Sequence, residues 1–415
     1  MVELGVISAV FLGYALVSRA LLWANISAPM VFVAAGILCG PELLGFTSFD
    51  PTDEPSLIVA EVALVVVLFS DASRSDLREL RADGALSARL LAIGMPLTMM
   101  AGTAAAAVLL VGLEFWEGAV IAAILAPTDA ALGHAVVSSR IVPEKIRQTI
   151  NVEAGLNDGL SIPFLFLFLG LAVDQASLDA AGWFTFGIEQ VAIGVVVGFF
   201  VGGGSGWLVD RAIQRRAMTH TFKRLSLVAI AIGVWALADA AGGNGFIAAF
   251  VAGLAVARFQ EDFGDHMLSF AEREGQLLSL VVFFGFGTVA IGFLGDASWA
   301  VIGFAALSLT LVRMVPVAIA LAGTGLSRAS VAFIGWFGPR GLASIILALV
   351  VVKEEPGLPS LDLIIAATTV TVLASVFLHG ISSRPFARLY SRSLEGLPPD
   401  APELDDAGEV RPRRV

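Results

Sequence analysis

Charge is what this sequence has least of. Only 15% of its 415 residues are Asp, Glu, Lys or Arg, against about a quarter in soluble domains, and that shortfall excludes a soluble enzyme. Cysteine is nearly absent: Cys39 stands alone, so neither a disulfide framework nor a thiolate metal cluster can form. Four histidines leave too few ligands for an imidazole cluster, and no cofactor is expected. Acids outnumber bases, 36 to 25, for a net charge of −11, which removes the phosphate-neutralising surface that nucleic-acid binding requires. Neither His-Glu-x-x-His nor Gly-x-Ser-x-Gly occurs, so no hydrolytic motif argues for an enzyme.

What is abundant is apolar length. Hydrophobic residues make up 57% of the chain and mean hydropathy is +0.87. Apolar runs lie at approximately 4–22, 28–46, 56–71, 85–111, 116–137, 146–172, 181–208, 223–241, 244–258, 276–295, 298–322, 327–352 and 360–381. Each approaches the roughly 20 residues that carry a helix across about 30 Å of hydrocarbon. The expected fold is an all-α polytopic membrane protein of about 13 transmembrane helices, with the lipid bilayer as its first partner.

The basic residues check that number, because cytoplasmic loops retain Lys and Arg. With loops on alternating sides, every basic residue falls on one side except Lys353 and the two inside runs, Arg313 and Arg340. A miscounted helix would scramble this pattern. The amino terminus is therefore expected outside and the carboxyl terminus in the cytoplasm, across the cell (inner) membrane. Met1 to Glu3 has no basic stretch, so no cleaved leader is expected. Residues 1–385 form the membrane domain; residues 386–415, rich in Pro and acids, are expected to be a disordered cytoplasmic tail. Gly194, Gly198, Gly202 and Gly206 recur every four residues, which predicts close approach of another helix. Glu61 is expected to snorkel to the outer interface.

Five ionisable residues sit well inside apolar runs: Asp129, Glu153, Asp158, Arg313 and Arg340. Charges at such depth are costly and mark function by default. If each arginine takes one acid, one carboxylate is left to hold a proton or a small dehydrated cation that prefers oxygen ligands. A site that holds one or the other while facing the two sides in turn is an exchanger. Two runs are interrupted by proline, at Ala126-Pro127-Thr128-Asp129 and Phe337-Gly338-Pro339-Arg340-Gly341. Proline breaks the helical ladder and frees carbonyls. The two breaks are seven runs apart, so they run in opposite directions, as an inverted-topology repeat of runs one to six on eight to thirteen requires. In Asn151 to Ser161, Glu153 and Asn157 share a face, so the amide is expected to hold the Glu153 carboxylate. Asp158, about 100° round the helix, is assigned the ion, with Thr128 supplying further oxygen.

These residues resemble the sodium/proton antiporters of the NhaP type, within the cation:proton antiporter superfamily. The resemblance rests on Thr128-Asp129, the Glu153 to Asp158 run, Arg313, Gly338-Pro339-Arg340-Gly341, Leu68-Phe69-Ser70-Asp71-Ala72, and Gly245-Phe246-Ile247-Ala248-Ala249-Phe250. It implies an NhaA/NhaP-like antiporter fold and electroneutral Na+ or Li+ exchange for protons in pH homeostasis. Asp158 would be the transporting carboxylate, with Asn157 beside it; Glu153 would pair with Arg313 and Asp129 with Arg340. It further implies a homodimer, in which core helices at about 85–172 and 298–381 move against a scaffold at about 4–71 and 181–295. Asp71 would stand in a cytoplasmic access funnel. The sequence departs from the family at Ala154, where many relatives have Ser, and in placing Pro127 before Thr-Asp; both bear on ion identity. The alternatives are a K+:H+ antiporter of the same fold and a gated cation channel.

Overall fold

The computed structural model describes residues 2–47, 53–74, 85–137, 139–174, 180–258, 265–294, 298–398 and 401–404. Every regular element among them is helical. In chain order these are α1 Val2–Trp23, α2 Ala28–Cys39, α3 Glu54–Arg74, α4 Ala85–Leu109, α5 Phe115–Leu125, α6 Ala130–Val137 and α7 Glu144–Asp174. There follow α8, running from Ala180–Val197 through a π turn into Gly203–Gln214, then α9 His220–Ala240, α10 Gly245–Ala257 and α11 Asp265–Leu294. The last are α12 Trp299–Leu309, α13 Leu311–Ala320, α14 Arg328–Trp336, α15 Leu342–Glu354 and α16 Leu361–Leu394.

Among the described residues nine helices are long and apolar enough to cross a membrane, and three shorter ones are apolar. Each apolar run of the sequence coincides with a helix or with a helix broken in two. Both proline breaks are present. α5 stops at Leu125 and α6 starts at Ala130; α14 stops at Trp336 and α15 starts at Leu342. Pro127 and Pro339 lack the N–H that would continue the ladder, and their rings crowd the carbonyl one turn back; Ala126, before Pro127, itself keeps helical φ and ψ of −71° and −41°. A third interruption, at Thr310 between α12 and α13, has no proline behind it. There the Thr310 hydroxyl donates to the Ala306 carbonyl at 2.6 Å, the back-bonding that bends helices.

Lipid gives helices no hydrophobic reason to associate, so close backbone approach at small residues holds the bundle. α2 meets α11 at Gly36 and Gly287: a Cβ on either would strike the carbonyl of Phe284 or Val33 on the partner helix. The glycine stripe of α8 has α10 as its neighbour, Gly198 lying on the Ala248 carbonyl and Gly202 on Ala252. α10 also touches α3, where a Cβ on Gly253 would come within 2.5 Å of the Phe69 carbonyl.

Two sequence expectations fail at the edges. Glu61 does not snorkel. It accepts a bond from Lys353 Nζ at 2.6 Å, because the lysine near the end of α15 reaches α3. Nor is the chain disordered from 386: α16 continues to Leu394, and Pro402–Leu404 form a 3₁₀ turn. Glu403 is buried there, accepting from the Ser327 amide at 2.6 Å and the Ser330 hydroxyl at 2.7 Å. A carboxylate at the N-terminus of α14 satisfies its open amides and its positive dipole end. Residues 399–400 and 405–415 of the expected tail lie outside the described residues.

Candidate ion-binding site

The two breaks touch. The Asp129 amide donates to the Pro339 carbonyl at 2.8 Å, which pins one interrupted segment to the other. The Asp129 carboxylate then serves two helix ends at once. Oδ1 accepts from the Leu132 amide at 3.3 Å, in the first turn of α6, and Oδ2 accepts from the Leu342 amide at 2.8 Å, the first residue of α15. Helix N-termini present unpaired N–H groups and partial positive charge, so they draw the carboxylate. This corrects the expected Asp129 and Arg340 pair. Arg340 turns away, Nη1 donating to the Gly338 carbonyl at 2.6 Å and its amide to Ser375 Oγ at 2.6 Å. Its Nε and Nη2 have no hydrogen-bond partner among the described residues.

Glu153 and Arg313 do meet. Arg313 Nη2 lies 2.6 Å from Glu153 Oε2, with both side chains 2% exposed. Gly338 makes this possible, since a Cβ there would sit 2.6 Å from Arg313 Nε. Gly341 does the same for Asp129, whose carboxylate occupies the space a Cβ would fill. The glycines on either side of Pro339-Arg340 thus clear room for one buried charge each.

Asn157 does not hold Glu153, as its spacing suggested. Arg313 has taken that carboxylate, and the Asn157 amide matches the polar groups freed at the α5 break. Its Oδ1 accepts from the Thr128 amide at 3.2 Å and its Nδ2 donates to Thr128 Oγ1 at 2.7 Å. A side-chain amide, able both to accept and to donate, meets the N–H that the missing helical turn left open and the hydroxyl of the same threonine. α7 is thereby clamped to the break with Asp158 adjoining the clamp.

Asp158 is buried, and its Oδ1 has no hydrogen-bond partner among the described residues. A buried polar atom without a partner calls for an explanation. Of Asp129, Glu153 and Asp158, Glu153 is ion-paired, Asp129 is capped by two helices, and Asp158 is the one with an open oxygen. Asp71 on α3 faces this stretch of α7: a Cβ on Gly155 would lie 3.6 Å from that of Asp71, one turn before Asp158. Ala154 is buried and brings no oxygen. A carboxylate buried without a counter-cation is costly; a proton or a dehydrated monovalent cation bound there removes the cost.

Sequence reasoning missed several buried polar groups, two of them at the second break. Ser344 Oγ on α15 and Thr368 Oγ1 on α16 are buried without partners among the described residues. Ser375 and His379 on α16 bond to the ends of the α14 and α15 break. Hydroxyls are common in apolar helices and give no signal. His379, an intramembrane histidine, did carry one.

With this geometry in place, comparison with known proteins adds three findings. Residues 6–389 match the family described as sodium/hydrogen exchanger, transmembrane. The K(+)/H(+) antiporter NhaP of Alkalimonas amylolytica is 27% identical over 373 residues, 89% of this chain and 63% of the relative. The K(+)/H(+) antiporter NhaP2 of Shewanella sp. (strain ANA-3) is 25% identical over 366 residues, 87% of this chain and 62% of that protein. The chain therefore spans under two thirds of the length of these relatives. In fold, it is similar to the sodium proton antiporter MjNhaP1 from Methanocaldococcus jannaschii, with a TM-score of 0.76 at 21% identity, covering 94% of this chain and all of the other.

Proposed function

The chain belongs to the sodium/hydrogen exchanger transmembrane family, and on that premise we propose that it is an electroneutral antiporter of protons and a monovalent cation, sodium or lithium. The observation that carries this reading is Asp158 Oδ1, buried and without a partner among the described residues, on the residue that follows Asn157, whose amide is bonded to Thr128. Asp158 gives up a proton to take a cation and gives up the cation to take a proton. Thr128 supplies further oxygen, since Oγ1 keeps a lone pair while accepting from Asn157. Glu153 and Asp129 fix the site without competing for the ion. Arg313 and Arg340 offset the negative charge around it. One negative charge titrated by one positive charge moves no net charge across the membrane. Asp71 lines the cytoplasmic access funnel.

The site then faces each side in turn. Thirteen crossings, an inverted repeat with the two breaks at equivalent depths, and a core of about 85–172 and 298–381 moving on a scaffold of about 4–71 and 181–295 complete the reading. The protein works as a homodimer in the cell membrane, amino terminus outside. Potassium is the second candidate ion: Ala154 removes one side-chain oxygen, and the two relatives above are described as K(+)/H(+) antiporters.

In proteoliposomes loaded with a pH dye, an outward gradient of the transported cation should drive proton uptake that is unchanged when the membrane potential is clamped at zero. Comparing sodium, lithium and potassium identifies the ion. Proton flux that follows the potential and ignores the cation gradient would instead indicate a channel.

A further inference from the structure

The α14 and α15 break is closed from outside itself. Ser375 and His379 lie four residues apart on one face of α16, 0% and 1% exposed. His379 Nε2 is 3.0 Å from the carbonyl of Trp336, the last residue of α14. That carbonyl also accepts the Gly338 amide at 2.9 Å, so His379 fills its second lone pair. At the other end of the break, the Arg340 amide donates to Ser375 Oγ at 2.6 Å, and Ser375 Oγ lies 3.1 Å from His379 Nδ1.

Donor and acceptor roles follow from these contacts. A carbonyl only accepts, so Nε2 carries the proton. In a neutral ring Nδ1 then accepts. Its two neighbours at 3.1 Å are the Ser375 carbonyl and the Ser375 hydroxyl, and of these only the hydroxyl can donate. Ser375 Oγ thus gives its proton to His379 and offers a lone pair to Arg340 N–H. The resulting relay runs from Arg340 N–H to Ser375 to His379 to the Trp336 carbonyl. A charged ring would donate from both nitrogens and place a second buried cation near Arg340.

We infer that Ser375 and His379 are positioning residues for the ion site, a brace that fixes the two ends of the α14 and α15 break relative to each other. The brace acts through contacts already described. It sets the segment whose Pro339 carbonyl and Leu342 amide hold Asp129; Asp129 is next to Thr128, and Thr128 is clamped to Asn157, the neighbour of Asp158. Losing the brace should therefore loosen the cation ligands, and the functional part of the inference rests on the exchange reading.

Two measurements test it. In cation-driven proton flux, Ser375→Ala and His379→Ala should raise the apparent cation KM by about 10-fold or more, the loss typical when a partner behind a metal ligand is removed. Maximal rate per folded protein should change by no more than about two-fold. Ser375→Thr, which keeps the hydroxyl, and His379→Gln, which keeps a donor for Trp336, should restore most of the affinity. A purely structural role would lower the amount of active protein and leave KM unchanged, and that result would overturn the inference. In protein carrying ¹⁵N-histidine in lipid bilayers, the His379 signals, identified by their absence in His379→Gln, should show a protonated Nε2 and an unprotonated Nδ1 that shifts in Ser375→Ala. An imidazolium or the opposite tautomer would also overturn the brace. Wild-type protein with the expected tautomer and no cation-driven flux would sink the exchange reading and leave the brace standing.

Discussion

Arg313 sits in the first turn of α13, where a positive charge meets the positive end of the helix dipole. Glu153 on α7 compensates it at 2.6 Å with both groups buried. Removing either partner leaves an uncompensated buried charge, a loss of about 3–5 kcal/mol. Arg313→Ala and Glu153→Ala should each lower the thermal midpoint and folded yield in detergent, while the double variant recovers part of the loss. Single variants as stable as the parent would contradict the pairing. At this scale the sequence announced which residues matter better than what they touch. Buried charges in apolar runs are conspicuous, so Asp129, Glu153, Asp158, Arg313 and Arg340 could be read directly. Counting acids against bases left one carboxylate over and the family resemblance supplied the pairs, and neither has a place for backbone amides. Asp129 is held by two of them, and Arg340 donates to carbonyl and hydroxyl oxygens instead of a carboxylate.

Helix ends carry most of the chemistry at the scale of elements. Asp129 caps α6 and α15, and Glu403 caps α14 from the far end of the chain. Both proline breaks were legible because proline has a local effect on its own helix. The Thr310 break was not, because the hydroxyl bond that accompanies it is one that Thr98, Thr103, Thr149 and Thr371 make inside uninterrupted helices. The docked tail was hidden for a different reason: the stretch after Arg384 is polar on average, and one buried glutamate does not change an average. Glu403 lies outside the membrane runs, and its ionisation can be followed. Burial raises its pKa, but the bonds from the Ser327 amide and the Ser330 hydroxyl outweigh that and hold it below the ordinary glutamate value. A carboxylate depressed in the docked state contributes attachment that is complete above the undocked pKa and is lost as pH falls through the docked one. Protection of the Ser327 amide, meaning its exchange relative to the intrinsic rate at each pH, should therefore be high at neutral pH and be lost once pH drops below the usual carboxylate range. In Glu403→Gln protection should be low throughout; high protection at neutral pH in that variant would mean the carboxylate does not hold the tail.

Across the whole molecule, charge is partitioned rather than merely scarce. Basic residues gather on one face of the expected topology and Lys353 stands nearly alone on the other, bonded to Glu61. Lys353 links α15 to α3, so an element of the proposed core is tied to one of the proposed scaffold. Among the described residues each apolar run anticipated a helix or a broken helix, nine of the helices being long and apolar enough to cross a membrane, because bilayer thickness imposes length on sequence. The contacts that shape the site could not be read the same way, since they join residues far apart in the chain, such as Asn157 with Thr128 and Leu342 with Asp129. All of them converge on leaving Asp158 with an open buried oxygen. The most direct measurement is cation-driven proton flux in proteoliposomes for the native protein and Asp158→Asn, normalised to folded protein. The native protein should exchange, and the variant, which keeps the shape of the side chain and loses its charge, should show none above empty vesicles. Exchange retained in Asp158→Asn would contradict the account at its centre.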